Sequence, residues 1–488
     1  MPTLVNEITP SLSPSDHPYL NGAWTPNFRE YDADDMEIIG EIPTDIDGIY
    51  LRNTENPVHD AIGKYHPFDG DGMLHMMRFK DAKAEYRNRF VRTRGFELEQ
   101  EAGRALWVGI MGKPSRSELP GWGAHGHIKD SSSTDVLVHA GQILSTFWQC
   151  GDGYRLDPVS LDTLGIESWT PKDGISAHPK LDPHTGELLF FNYSTEAPYM
   201  HYGVVSPDNR LLHYVPVPLP APRLPHDMAF TEHYSILCDF PLYWPEQMIA
   251  QDFYVPVYNP QLPARFAVIP RYGNSDEIRW FEARSTYVLH FTNAWEDGDE
   301  IVLDGYFQND PAPPPLASMP EKHGVMGSNV DLYSLKTHLH RWRFNLVTGE
   351  TREETLYNDT IVEFGVINQN YAARRNRYTY SVTSKPGWFL FTGILKHDLD
   401  TGSTTRFDFG EERYGSEAPF IPRENASAED DGYLVSFITD MKKDRSECVL
   451  IDARDIEKGP VCRIILPHRI CSGTHAVWAS ARELAAGA

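Results

Sequence analysis

Short apolar runs of strand-forming residues recur along the whole chain, and each is cut off by turn residues before it could grow into a long element. DVLVHAGQILSTFW, ELLFFNYS, LLHYVPVPL, YSILCDF, TYVLHFTNAW, EIVLDGYF, YTYSVTS, GYLVSFITD and CVLIDARD follow this pattern. Branched and aromatic side chains fit a pleated surface and Gly, Pro, Asp and Asn make turns, so the spacing predicts many short antiparallel strands. Turns are marked at 182–186 (DPHTG), 346–349 (LVTG) and 400–402 (DTG), where Gly186, Gly349 and Gly402 can take the positive φ of a tight connection. Helical patterns are scarce, the best being 97–105 and 479–486. No motif recurs at a fixed period of about 40 residues, which disfavours regular WD or kelch repeats. The proline-rich stretch 310–320 (DPAPPPLASMP) lacks the N–H donors of a ladder and reads as a surface or lid loop.

At 488 residues the chain exceeds the usual single domain, but a closed all-β propeller reaches this length as one unit. A formal charge of -25 sets up a field that repels phosphate backbones and anionic headgroups, so nucleic acid is not expected as a partner. The opening segment MPTLVNEITP has no basic and apolar leader pattern, and no apolar run is long enough to span a bilayer. A soluble, cytoplasmic protein is expected. Its 5 cysteines have no close metal or disulfide spacing and are expected to be buried thiols.

Of 20 histidines, four stand at or beside the ends of apolar or turn segments: His178 (GISAHPK), His226 (PRLPHDM), His290 (TYVLHFTNAW) and His475 (SGTHAVW). They are far apart in the chain, so they meet only through the fold, as ligands collected from separate blades would. Four neutral imidazoles suit iron, copper or zinc and leave iron(II) open positions for dioxygen. On spacing alone, ordinary structural histidines explain the same pattern.

The segments FDGDGMLH (68–75), GEIPTDIDGIYLRN (40–53), SAHPKLDPHTGEL (176–188), LPHDM (224–228), NAWEDGDEIVLDGY (293–306), EAPFIPR (417–423) and GYLVSF (432–437) resemble the carotenoid cleavage oxygenase family, from about residue 35 to residue 478. The resemblance implies a seven-bladed β-propeller, all-β, with loops and short helices capping one face over an axial iron site. Residues 1–34 would form an N-terminal extension packing on or near a single propeller domain, 35–488. It implies Fe(2+) held by His178, His226, His290 and His475, and dioxygen splitting an alkene into two carbonyl products. Relatives use three glutamates to hold imidazoles; Glu363 (IVEFGVIN) and Glu417 (SEAPFIPR) match two. A carboxylate accepting the free ring N–H fixes the tautomer and aims the other nitrogen at the metal.

The third such position departs from the family: FWQCGDGYRLDP has Gln149 where a glutamate is usual, and its carbonyl oxygen is expected to accept an imidazole N–H instead. Branches that cleave stilbenes place a lysine just before that position and a tyrosine upstream, where this chain has Trp148 and Phe96. Neither can engage a phenolate, so the reading tilts towards an apolar polyene such as an apocarotenoid. Phe68 matches an aromatic that lines the cleft in relatives. Trp148, Phe291, Trp295, Tyr306 and Phe307 could wall a tunnel, although aromatic stripes in a propeller are more often core between blades. The segment 240–258 (FPLYWPEQMIAQDFYVPVY) is a candidate for transient membrane contact or for a lid. Three alternatives stand beside this reading: cleavage of a stilbenoid or phenylpropanoid, a non-oxidative isomerase on the same fold, and a non-enzymatic binding platform.

Overall fold

The computed structural model of the protein describes residues 2–124 and 126–486. Seven antiparallel sheets stand as blades around one axis, and a short ribbon pairs Leu242–Tyr243 with Val257–Tyr258. In chain order, blades two to six begin with the strands Val136–His139, Lys180–Leu181, Ala229–Phe230, Phe291–Asp297 and Val362–Val366. Blade seven is built on Phe420–Pro422 and Gly432–Asp440, and blade one on Gly473–Ser480, Gly48–Asn56 and Asp71–Lys80. The expected all-β propeller is therefore the observed architecture.

Both chain ends close the ring. The final strand pairs antiparallel with an early one, from Gly473 opposite Thr54 to Ser480 opposite Gly48, while Ile38–Gly40 pairs with Pro460–Ile465 on the outer edge of blade seven. Such closure removes free inner edges that would otherwise invite pairing with other chains. The strands Thr3–Glu7 and Arg29–Ala33 extend the outer side of blade one through Lys83–Phe90.

Burial follows position in the blade. Gly48–Asn56 and Gly432–Asp440 are buried throughout because neighbouring blades cover both faces. The outer strand Lys83–Phe90 alternates, and Ser403–Asp408 presents much of its length to solvent. Outer strands carry charge, as Arg352, Glu353 and Glu354 do, which blunts a sheet edge. Phe266, Phe291, Phe307, Trp342 and Phe344 interlock between blades four and five, so Phe291 and Phe307 are core; Trp295 lies under the Arg341 guanidinium, and Tyr306 bonds Ser381.

Gly186, Gly349 and Gly402 all adopt positive φ at the three marked turns. The first helix is Arg94–Ala102, earlier than the sequence pattern suggests, because the Thr93 hydroxyl caps it and Gly103, in the left-handed region, stops it. Ala481–Ala485 is helical as expected. Residues 310–320 contain no strand; they lead into the helix Glu321–Val330, and Met319 anchors the loop beside Tyr19 and Trp24. All five cysteines are free and buried. Among the described residues no helix is long and apolar enough to cross a membrane.

Candidate metal centre

Each inner strand starts at the same level on the axis, so residues at strand starts converge although they are remote in sequence. His178 lies just before the inner strand of blade three, His226 before that of blade four and His290 before that of blade five, and His475 sits near the start of Gly473–Ser480. All four are buried, and one ring nitrogen from each falls within 4.8 Å of the others. Metal–imidazole bonds of about 2.1 Å place opposing nitrogens about 4.2 Å apart, so the cluster has the size of a single coordination sphere.

Carboxylates set the tautomers. Glu363 Oε2 accepts from His290 Nδ1 at 2.6 Å, and Glu417 Oε2 lies 3.4 Å from His475 Nδ1. These are the two partners expected from the sequence. Asp135 Oδ2 stands 2.8 Å from His178 Nδ1, a partner that sequence reasoning missed. With Nδ1 protonated towards a carboxylate, each of these rings turns its Nε2 lone pair inward. The His178 and His226 Nε2 atoms are 3.1 Å apart, and His290 Nε2 is buried with no hydrogen-bond partner among the described residues. Converging lone pairs among buried side chains are what a cation satisfies, so the donor set fits a divalent metal that accepts imidazole.

Burial, reinforced by neighbouring imidazoles, holds His178 and His290 well below the ordinary histidine range, and burial lowers His226 to about 3. These rings are neutral and available as ligands. For His475 burial alone would act the same way, but the Glu417 hydrogen bond and charge outweigh it and raise the value. Asp227, next to His226, fixes the spacing of three ligands: Lys180 Nζ meets its Oδ1 at 2.6 Å and the Phe291 N–H donates to its Oδ2 at 2.8 Å. Blades three, four and five are thereby tied at the level of the histidines.

Gln149 does not take the role expected of it. It is buried, its Oε1 has no hydrogen-bond partner among the described residues, and the His178 Nδ1 is taken by Asp135. The physical reason is placement, since Gln149 lies beyond the second strand of blade two and Asp135 heads the first. Phe96 is also removed from the cluster; it stacks on Phe90 at 5.2 Å in a separate pocket with Ile8, Val58 and Met73. Its helix carries it to the flank of blade one.

Trp148 and Phe68 do stand over the site. The Trp148 ring is 6.1 Å from His226 and 6.1 Å from Phe68, and Phe68 is 5.5 Å from Phe389. Phe364, which takes a left-handed φ of 52°, covers His290 at 4.4 Å and His475 at 4.9 Å and continues to Phe389. Four aromatic rings thus wall one side. Along the axis lies a cavity of about 230 Å³, lined by inner-strand residues that include Val136, Lys180, Ala229, Asn293, Val366, Phe420 and Val477.

Comparison with known proteins agrees with this geometry. The profile of the retinal pigment epithelial membrane protein family matches residues 24–480. The chain is 34% identical over 504 residues to carotenoid 9,10(9',10')-cleavage dioxygenase 1 of Pisum sativum, covering 96% of this chain and 91% of that protein. The crystal structure of Pseudomonas brassicacearum lignostilbene dioxygenase superposes with a TM-score of 0.84 at 27% identity, over 96% of this chain and 100% of that one. Cobalt-substituted Synechocystis apocarotenoid oxygenase superposes with a TM-score of 0.80 at 26% identity, over 93% and 97%. The protein is a member of the retinal pigment epithelial membrane protein family, the carotenoid cleavage oxygenases, and a dioxygenase of that family.

Proposed function

We propose that the protein is an iron(II) enzyme that cleaves one C=C bond of an apocarotenoid polyene into two carbonyl products. The observation that carries the choice of substrate is the aromatic wall of Phe68, Trp148, Phe364 and Phe389 over the four histidines. A polyene offers hydrocarbon to bury, worth about 25 cal/mol per Å² removed from water, and needs no charged partner at its reacting carbons. Trp148, at the position where stilbene-cleaving branches carry a lysine, gives a flat apolar face instead. The relatives in pea and Synechocystis are named for carotenoid and apocarotenoid cleavage, which supports the same reading.

His178, His226, His290 and His475 would hold the iron, which when bound supplies the activation of dioxygen that a closed-shell alkene lacks. The protein's contribution is placement. The rings of Phe68 and Trp148 would fix the polyene plane beside the metal, and Phe364 shields the His290 and His475 imidazoles from solvent. Asp135, Glu363 and Glu417 keep the ring protons on Nδ1 throughout, so no side chain has to act as acid or base. Phe253, Val255 and Val257, exposed within the segment 240–258, offer an apolar landing surface for taking up a lipophilic substrate from a membrane.

The likeness to a lignostilbene dioxygenase favours one second reading, an alkene carrying a phenol. Incubating iron(II)-loaded protein in air with an apocarotenal and, separately, with a hydroxystilbene tests both. Shortened apocarotenoid aldehydes are expected; aromatic aldehydes from the stilbene alone would overturn the polyene reading. Trp148→Lys is expected to lower the polyene activity and raise the stilbene activity relative to it.

A further inference from the structure

Seven blades deliver seven groups to one level of the axis. Blades one, three, four and five give His475, His178, His226 and His290; blade six gives Glu363, and blade seven gives Glu417. Blade two remains, and what stands at the head of its inner strand is Asp135.

We infer that Asp135 is a positioning residue of the metal site, which holds His178 and supplies the third carboxylate in place of the residue at 149. The inference rests on the four-histidine metal reading. Its carboxylate is fixed at both oxygens: Oδ1 accepts the Val136 N–H at 2.7 Å and Oδ2 accepts from His178 Nδ1 at 2.8 Å. The plane of the carboxylate, and with it the plane of the imidazole, is set by the start of the strand rather than by a flexible side chain. Glu363 is also held by the backbone N–H that follows it, but through a single oxygen, Oε2, which takes both the Phe364 N–H and His290 Nδ1. Two carboxylates on different blades therefore share one device, a backbone N–H of the inner strand that aims the acid at an imidazole.

The charge count supports the same assignment. A glutamate at 149 would have brought a third negative charge to the site, and Gln149 brings none. Asp135 restores three carboxylates around the four imidazoles, but at the head of blade two's first strand instead of beyond its second. His178 is oriented by a carboxylate here, and no carboxylate bonds His226 among the described residues; His226 is positioned through its neighbour Asp227.

The test is a titration of metal-free full-length protein with Co(II), followed by the visible ligand-field absorption of the bound ion, for wild type and for Asp135→Ala, Asp135→Asn, Gln149→Ala and His226→Ala. Asp135→Ala is expected to weaken Co(II) binding about 10–100-fold and to change the absorption envelope, as loss of an outer carboxylate does elsewhere. Asp135→Asn, whose amide oxygen can still accept the His178 N–H, is expected to recover most of the spectrum and part of the affinity. Gln149→Ala should bind Co(II) as wild type does. Thermal melts of the metal-free forms identify a variant that fails to fold, and the Asn variant then carries the comparison. Wild-type affinity and spectrum in both Asp135 variants, or a loss on Gln149→Ala alone, would overturn the assignment. A wild type that takes up no Co(II), or a His226→Ala that binds it unchanged, would overturn the four-histidine site as well.

Discussion

Replacing Glu363 with Gln separates the stability of the fold from the assembly of the metal site, because the two should move in opposite directions. Glu363 is fully buried, and burial raises its carboxyl well above the usual range, with the charges of Asp227 and Glu417 adding to the rise. Its Oε1 has no hydrogen-bond partner among the described residues. In the absence of metal a carboxyl that folding drives towards its neutral form is therefore an expense to the fold, and a neutral amide of the same shape should leave the melting temperature of the metal-free protein unchanged or higher. Metal binding should suffer. Glu363 accepts from His290 Nδ1 at 2.6 Å, and an amide at that place loses the charge that makes the imidazole a stronger donor to a cation. A loss of about 10–100-fold in metal affinity is expected, equivalent to about 1.4–2.7 kcal/mol. Titration with Co(II) and melts with and without metal give both quantities. Affinity within twofold of wild type, or a metal-free protein that melts several degrees lower, would refute the argument.

Other perturbations follow from the same geometry. Gly365 lies two residues from Glu363 on the inner strand of blade six, and an added Cβ would sit 2.2 Å from Tyr306 Oη and 2.4 Å from Thr292 Cγ2. Tyr306 is tied to Ser381 at 2.6 Å and cannot retreat, so Gly365→Ala should destabilise by about 1–3 kcal/mol or more; an unchanged melt would contradict this. Burial lifts Glu55 to about 8 against the pull of its own backbone N–H and of His475 and Arg52. A carboxyl raised on folding stabilises below its unfolded value near 4.5 and loses that contribution as pH climbs through 8, so Glu55→Gln should flatten the fall in stability between pH 5 and 9. A wild-type pH profile in the Gln variant would count against it. Trp148→Ala should reduce kcat/KM for a polyene at least tenfold, since it opens the wall beside His226; an unaltered value would remove Trp148 from the substrate site. Chelation should lower the melting temperature, by the equivalent of about 4 kcal/mol where free metal had stood at 1,000 times its Kd.

Much of this site is legible in the sequence, and the part that is not has a structural cause. His178, His226 and Glu417 sit inside segments that resemble the family, His290, Glu363 and His475 were carried over by position between or beyond them, and the fold brings all six together on the axis. The turn glycines 186, 349 and 402 were readable because positive φ is a local property. Asp135 was not, because an acid at the head of VLVH looks like any polar strand start. Aligning the first residues of the inner strands, rather than whole segments, would have found it. Gln149 and Phe96 misled for the converse reason. Each is adjacent in sequence to a plausible site, but one lies beyond the second strand of blade two and the other on a helix that packs against Phe90. Proximity along a propeller chain does not convey which side of a blade a side chain occupies.

The measurement that tests the central claim most directly is a rapid-quench turnover of iron(II)-loaded protein with an apocarotenal under isotopically labelled dioxygen, run beside His226→Ala. Labelled oxygen in both carbonyl products of the wild type, with no cleavage by the variant, is the predicted result. Cleavage products that carry oxygen only from water, or equal cleavage by His226→Ala, would contradict oxygen-dependent alkene cleavage at the four-histidine centre.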